Sequence, residues 1–394
     1  MEYKKILTGL FFIVSSFFLQ GCTKHEENTF VFWTVQLKMP AGDLIQKTID
    51  EFQSIHPEMK IVWVDIPVAE TQKRAIASIL GGNPPDLINL NPEYSISLAQ
   101  KNTLEYFSED EAKDYNKGLV DKLRIDGKIY AIPFYATSAV TILNKEKFKN
   151  CNVEIKTYND ILNLEQCKES PSFGLPIGEG EVFSKILNKY GVNDEKTLNE
   201  VYFLFYEMNK KGLLPKDVLT VNHREIIEKY MSQNVAFINA GSNFINMIKE
   251  NAPDIYSNSV ILPQLTGLDG KYDVSIMNFV IPKKSKNKEL AKEFLKLLTN
   301  EENQLEFSKK TNVLPANQKA LDNDYFKNCS SDIYDTARCI ASYQLNSPVT
   351  VDFGQKNKKE ITEVVNNSLE ILFLKGEDDF IKQETYKKIK MLQE

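Results

Sequence analysis

The chain has 394 residues, with 48 basic and 54 acidic side chains, a formal net charge of −6 and a pI of about 5.5. That balance argues against nucleic acid as a partner, because phosphates call for a basic face. The lysines alternate with acids, as in Lys286-Asn287-Lys288-Glu289, which reads as a solvated surface. A 42 % hydrophobic content in a chain this long predicts two cores rather than one.

At the N-terminus Lys4-Lys5 precede a largely apolar run of 14 residues, 6–19, followed by Gln20-Gly21-Cys22. The run is too short to cross a bilayer comfortably as a helix. It reads as an export signal over residues 1–21. Leu19-Gln20-Gly21-Cys22 resembles a bacterial lipobox, which implies cleavage before Cys22 and acylation of that cysteine. Several acyl chains hold a protein to a membrane where one is marginal. Residues 22–28 are then a lipidated, polar tether. No later stretch approaches ~18 consecutive apolar residues. The expectation is a soluble monomeric body, extracytoplasmic and held to a membrane through Cys22.

Export allows disulfides. Cys151, Cys167, Cys329 and Cys339 permit three pairings. The local one, Cys151 with Cys167 and Cys329 with Cys339, is favoured because short loops close readily. No pair has C-x-x-C spacing and His25, His56 and His223 are scattered, so neither a metal nor a cofactor is expected.

In chain order, Phe30-Val31-Phe32-Trp33 predicts a first strand, and Pro40-Ala41-Gly42 a loop. Asp43 is placed to cap a helix carrying Leu44, Ile45, Ile49, Phe52 and Ile55, which His56-Pro57 ends. A strand over Lys60–Ile66 follows, then a helix through Arg74, Ala75, Ile79 and Leu80. Gly81-Gly82 stop it, and Pro84-Pro85 lead into a short buried strand, Leu87-Ile88-Asn89-Leu90. This β-α-β-α-β order is that of a parallel sheet with crossover helices, an α/β fold. Asn91-Pro92-Glu93-Tyr94 then sits at the carboxyl end of a strand, where open α/β sheets place ligands.

Gly82-Asn83-Pro84-Pro85-Asp86-Leu87-Ile88-Asn89-Leu90 resembles the Pro-Asp-apolar signature of the extracellular solute-binding proteins that serve sugar ABC importers. Further motifs of that family follow in order. Asp126-Gly127-Lys128-Ile129-Tyr130-Ala131-Ile132-Pro133, followed by Leu143-Asn144-Lys145, is similar to its first crossing between lobes, with Leu143 where an aromatic is usual. The stretch from Ile261-Leu262-Pro263 to Ser275-Ile276-Met277-Asn278-Phe279-Val280-Ile281-Pro282 resembles its return crossing. The helix after Lys284-Ser285-Lys286-Asn287 matches too, and there Leu290, Phe294, Leu297 and Leu298 share one face. Thr311-Asn312-Val313-Leu314-Pro315-Ala316 resembles the third crossing. The amphipathic stretch 361–375 is expected back in the second lobe.

The resemblance implies a two-lobed periplasmic-binding-protein-like fold, each lobe a sheet flanked by helices, joined by three hinge crossings. The first lobe would hold residues 29–134 plus 276–314, and the second 135–275 plus 315–394. It implies a lipid-anchored receptor that closes on a mono- or short oligosaccharide and delivers it to ABC permease subunits. The ligand candidates are Trp33, Gln36, Asn91, Glu93 and Tyr94 in the first lobe. From the hinge and second lobe come Tyr135, Asn239, Ser242 and Asn278. Ser242-Asn243-Phe244 stands where many relatives carry a sugar-stacking tryptophan, which argues against a long malto-oligosaccharide.

Other readings are weaker. Gly174-Leu175-Pro176-Ile177-Gly178-Glu179-Gly180 has the glycines of a nucleotide loop, but Phe183 replaces the third glycine and no clear strand precedes it. An enzyme is not expected, since G-x-S-x-G and H-E-x-x-H are missing, although a carboxylate pair for glycoside hydrolysis stays open. A polyol or glycerol-phosphate receptor and a lipoprotein that only docks are the remaining alternatives.

Overall fold

The computed structural model describes residues 28–347, 357–376 and 379–394. The signal segment 1–21, Cys22 and residues 23–27 of the tether lie outside the described residues.

Among the described residues eleven strands run in chain order: β1 Thr29–Val35, β2 Lys60–Ile66, β3 Leu87–Leu90, β4 Arg124–Ile125, β5 Lys128–Ile129, β6 Ile132–Asn144, β7 Phe173–Gly174, β8 Phe237–Gly241, β9 Ser259–Pro263, β10 Val274–Val280 and β11 Leu314–Pro315. The main sheet is ordered β2-β1-β3-β10-β6-β8-β7, with β9 and β11 also paired to β6. β1 lies parallel to β2 and β3, each reached through a helix, Lys38–Ile55 and Val68–Leu80. That is the right-handed crossover logic the alternating pattern predicts.

β6 belongs to both halves of the sheet. Residues 132–138 pair antiparallel with β10, and residues 139–144 pair with β8 and β9. β11 adds a short pairing at Tyr135 and Ala136. Three chain passages therefore meet at the middle of β6. A buried polar knot fastens them: Gln344 Nε2 donates to Ser138 Oγ and to the Ala139 carbonyl, both at 2.8 Å. Gln264 Nε2 donates to Ser138 Oγ at 2.9 Å and to the Asp273 carbonyl at 2.8 Å. Gln344 Oε1 in turn accepts from the Gln264 N–H at 2.7 Å, so these amides are nearly saturated.

Each half of the sheet carries an aromatic cluster of its own, and a further core runs through both, from Ile88 and Leu90 to Val140 and Ile238, so the two expected cores are joined. In the first, Phe294 from helix Lys288–Leu298 packs within 5.4 Å of the Phe30, Phe32 and Phe52 rings. In the second, Phe173, Phe183, Tyr202, Phe205 and Phe237 form the centre, covered by Ile361, Val365 and Leu369 of helix Lys358–Lys375. A last helix, Asp379–Gln393, follows, with Ile389 buried. Cys151 pairs with Cys167 and Cys329 with Cys339, at Cα separations of 4.9 and 6.3 Å, within the usual range.

Two local expectations change. The first helix begins at Lys38 and kinks at Ala41 (φ −142°, ψ 20°) instead of starting beyond a loop. Its first N–H groups are met by Asp65 on β2, which accepts from the Leu37 and Lys38 N–H groups at 2.9 Å, while Asp43 lies a turn further on and pairs with Lys310. The glycine-rich loop does follow a strand, the two-residue β7, and Gly178 is there for space. A Cβ on it would meet the Leu219 carbonyl oxygen at 2.1 Å.

The Pro84-Pro85-Asp86 motif is a clasp. Asp86 is 1 % exposed; its Oδ2 accepts from the Val31 N–H at 2.9 Å and Asn287 Nδ2 at 3.2 Å, and its Oδ1 from Ser285 Oγ at 2.7 Å. One carboxylate thus ties β1, the approach to β3 and the start of helix Lys288–Leu298.

Candidate ligand-binding cleft

Where the two halves of the sheet meet, a cleft opens as two joined chambers of about 320 and 260 Å³. Thr137, Lys185, Asp273 and Ser275 line both, so the space is continuous. Chambers of this size at a lobe junction suit a small polar molecule.

The first chamber is walled on one side by the end of β3. Asn91 caps helix Pro92–Gln100, its Oδ1 accepting from the Tyr94 N–H at 3.0 Å, and this capping turn presents Pro92 and Glu93 to the space. Burial raises the Glu93 pKa, and the facing Glu181 carboxylate adds to the rise. Glu181 itself pairs with Lys358 at 2.9 Å. Tyr135 reaches in from β6, its ring packed on Phe134 and Phe307, and burial pushes its hydroxyl up to about 12. β10, paired between β3 and β6, lines it with residues 274–277.

The second chamber is walled by helix Val182–Lys189, β8 and the middle of β6. Asn239 lies on it, accepting from Thr141 Oγ1 at 2.7 Å, and so does Phe244. His223 is held through its backbone and ring by Glu179.

Between the chambers sits Asp273, 12 % exposed in its side chain, with Lys122 Nζ at 3.4 Å and Lys185 Nζ at 3.5 Å. Burial opposes its ionisation. The ammonium groups of Lys185, Lys122 and Lys189 outweigh that cost and hold the carboxyl well below the usual range. Lys122 also donates to the Val274 carbonyl at 3.2 Å, and Lys185 to Ser275 Oγ at 3.1 Å. Lys189 is 4 % exposed, and burial lowers its pKa to about 8 against the pull of Asp273.

Of the residues expected from sequence, Asn91, Glu93, Tyr135 and Asn239 line the cleft. Trp33 and Tyr94 pack as half-buried aromatics against the core. Gln36 is exposed at a positive φ of 52° beyond β1, and Ser242 lines a separate crevice beside Asn312 and Arg338. Asn278 is fully buried within β10, where its Nδ2 donates to Ser95 Oγ at 2.5 Å, and a register shift after Met277 separates it from residues 274–277, which line the first chamber.

Sequence reasoning missed Lys122, Lys185, Lys189 and Asp273, and treating the lysines as solvated surface fails at Lys122 and Lys189. One signal was there. Lys189 has a lysine, not an acid, four residues before it, on a helix whose neighbours Phe183, Ile186 and Leu187 are core residues. Among the described residues no three His, Cys, Asp or Glu side chains converge as a metal site requires.

Residues 47–330 match the family described as bacterial extracellular solute-binding protein. A protein of Brucella abortus (strain 2308) is 23 % identical over 366 residues, covering 86 % of this chain and 87 % of its own length. The diacetylchitobiose binding protein DasA of Streptomyces coelicolor is 26 % identical over 289 residues, 66 % of this chain and 67 % of its own. The solved structure of the sugar-binding protein MalE from Xanthomonas citri is similar in fold, with a TM-score of 0.75 at 17 % identity. It covers 93 % of this chain and 97 % of that one. The family match takes in β2 to β11 with the passages at β6, and Asp86 with its partners Ser285 and Asn287, and the chain belongs to the bacterial extracellular solute-binding proteins.

Proposed function

We propose that this protein is the extracytoplasmic receptor of an ABC importer, binding a mono- or short oligosaccharide between its lobes and delivering it to the permease. The observation that carries the reading is the continuous cleft at the three-passage junction, to which the turn after β3 and strands β6, β8 and β10 all contribute. Sugars suit such a place: their hydroxyls pair with amide and carboxylate groups such as Asn91, Asn239 and Glu93, and their C–H faces lie on rings such as Tyr135. The sugar-binding relatives DasA and MalE support the ligand class. Lipidation at Cys22, a monomeric state and lobe boundaries of 29–134 plus 276–314 and 135–275 plus 315–394 belong to the same proposal.

A thermal-shift screen against mono-, di- and trisaccharides and polyol phosphates tests it. A ligand at ~100 times its Kd stabilises the native state by ~2.7 kcal/mol, a shift of several degrees. A hit recovered unchanged supports a receptor. A hit that is consumed makes the protein an enzyme, and silence across the panel refutes the carbohydrate reading.

A further inference from the structure

Lys185 and Lys189 stand four residues apart on helix Val182–Lys189 and so share one of its faces. Both line the second chamber. Like charges in that relation repel, and burial makes the repulsion harder to screen. Yet the Lys189 ammonium, nine-tenths buried, meets only neutral groups at contact distance among the described residues. It donates to the Leu265 carbonyl at 2.7 Å and the Tyr158 hydroxyl at 3.5 Å, and lies 5.4 Å from the Tyr158 ring. An ammonium carries three N–H groups, so a third remains for the chamber.

The nearby acids compensate it only in part, Asp273 by its pull from beyond contact distance. Asp273 is already shared between Lys122 and Lys185, and Glu179 is held by His223. The first chamber is different, with Glu93 and the Glu181–Lys358 pair giving it acids as well as bases. Charge is thus divided along the cleft, with cations in excess at one end.

The geometry points to a ligand bearing an oxyanion, a carboxylate or phosphate on a sugar, seated in the second chamber between Lys185 and Lys189. Its hydroxyls would face Asn91, Glu93 and Tyr135 in the first. Such a group gives the Lys189 ammonium a charged partner at contact distance and Lys185 a second one beside Asp273, through charge-assisted hydrogen bonds. The inference rests on the carbohydrate-receptor reading and narrows it to acidic sugars.

Isothermal titration of the purified protein with glucose, galactose and galactobiose, with glucuronate, galacturonate and digalacturonate, and with glucose and galactose 6-phosphates tests it. At least one anionic sugar should bind tenfold or more tighter than its neutral parent. That ratio should shrink at least fivefold in Lys189→Met and in Lys185→Gln, with circular dichroism confirming that both variants are folded. Uronates and phosphates form separate arms, which distinguish the two oxyanions. Neutral sugars binding as tightly as their anionic partners, or a preference that survives both substitutions, would overturn the inference and leave a carbohydrate receptor standing. No heat with any probe overturns both.

Discussion

Asp86 offers a quantitative test of the clasp. Replacing it with alanine removes the acceptor for the Val31 N–H, for Ser285 Oγ and for one bond of Asn287 Nδ2, whose other bond, to the Thr29 carbonyl at 3.0 Å, survives. Hydrogen bonds to a charged group contribute about 1.5–3 kcal/mol each, and a buried donor left unmet costs about 1–3. With Ser285 7 % exposed and Asp86 1 %, little water can substitute, so Asp86→Ala should cost roughly 3–5 kcal/mol. Asparagine behaves differently. Its carbonyl can take the place of Oδ2 and serve Val31 and Asn287, while its amide meets Ser285, whose hydroxyl turns to accept. Asp86→Asn should therefore cost about 1 kcal/mol. Urea unfolding followed by far-UV circular dichroism measures both. If the alanine variant lies within 0.5 kcal/mol of the parent, or the asparagine variant falls as far as alanine, the clasp does not act through these bonds.

Lys189 makes unliganded stability depend on pH. Its folded pKa of about 8 lies below the ordinary lysine value of 10.5, so between those values the unfolded chain holds a proton that the folded one has shed. Stability from this group therefore rises with pH through that window and is lost as pH falls towards 8, by roughly 3 kcal/mol in all. The difference between parent and Lys189→Met unfolding free energies should carry that slope, with the variant the more stable at pH 7; a flat difference refutes the burial account. Gly178→Ala should destabilise by about 1–3 kcal/mol, since its methyl would lie 2.1 Å from a backbone oxygen that cannot swing away. A denaturation midpoint equal to the parent's would show that the loop yields.

The parts of the fold that were legible in sequence are local. A helix breaker, two prolines and an apolar tetrad announce β3 wherever they stand, and Leu290, Phe294 and Leu298 mark a buried helix face by spacing alone. The site was legible only where it coincides with such signals: Asn91 and Glu93 lie at a strand end, and Tyr135 in a crossing. Lys122, Lys185, Lys189 and Asp273 come from three separate segments and acquire meaning only from burial, which no window of sequence reports. Asn278 was misread for the opposite reason. It stands in a crossing motif, yet its amide is spent on Ser95 inside the protein.

The sheet order has a consequence in time. β3 finds its partner β10 only across a long interval; Asn89 Nδ2 donates to the Asn278 carbonyl over 189 positions of chain. At a synthesis rate of roughly 5–20 residues per second, β1 to β3 would wait on the order of 10–40 s for the strand that completes their sheet. Neither half can close early, because β6 is shared and β11 arrives later still. Such an ordering delays the compact state until most of the chain exists. Late completion thus keeps the first strands open to unfolding and rethreading for most of the time the chain is being made.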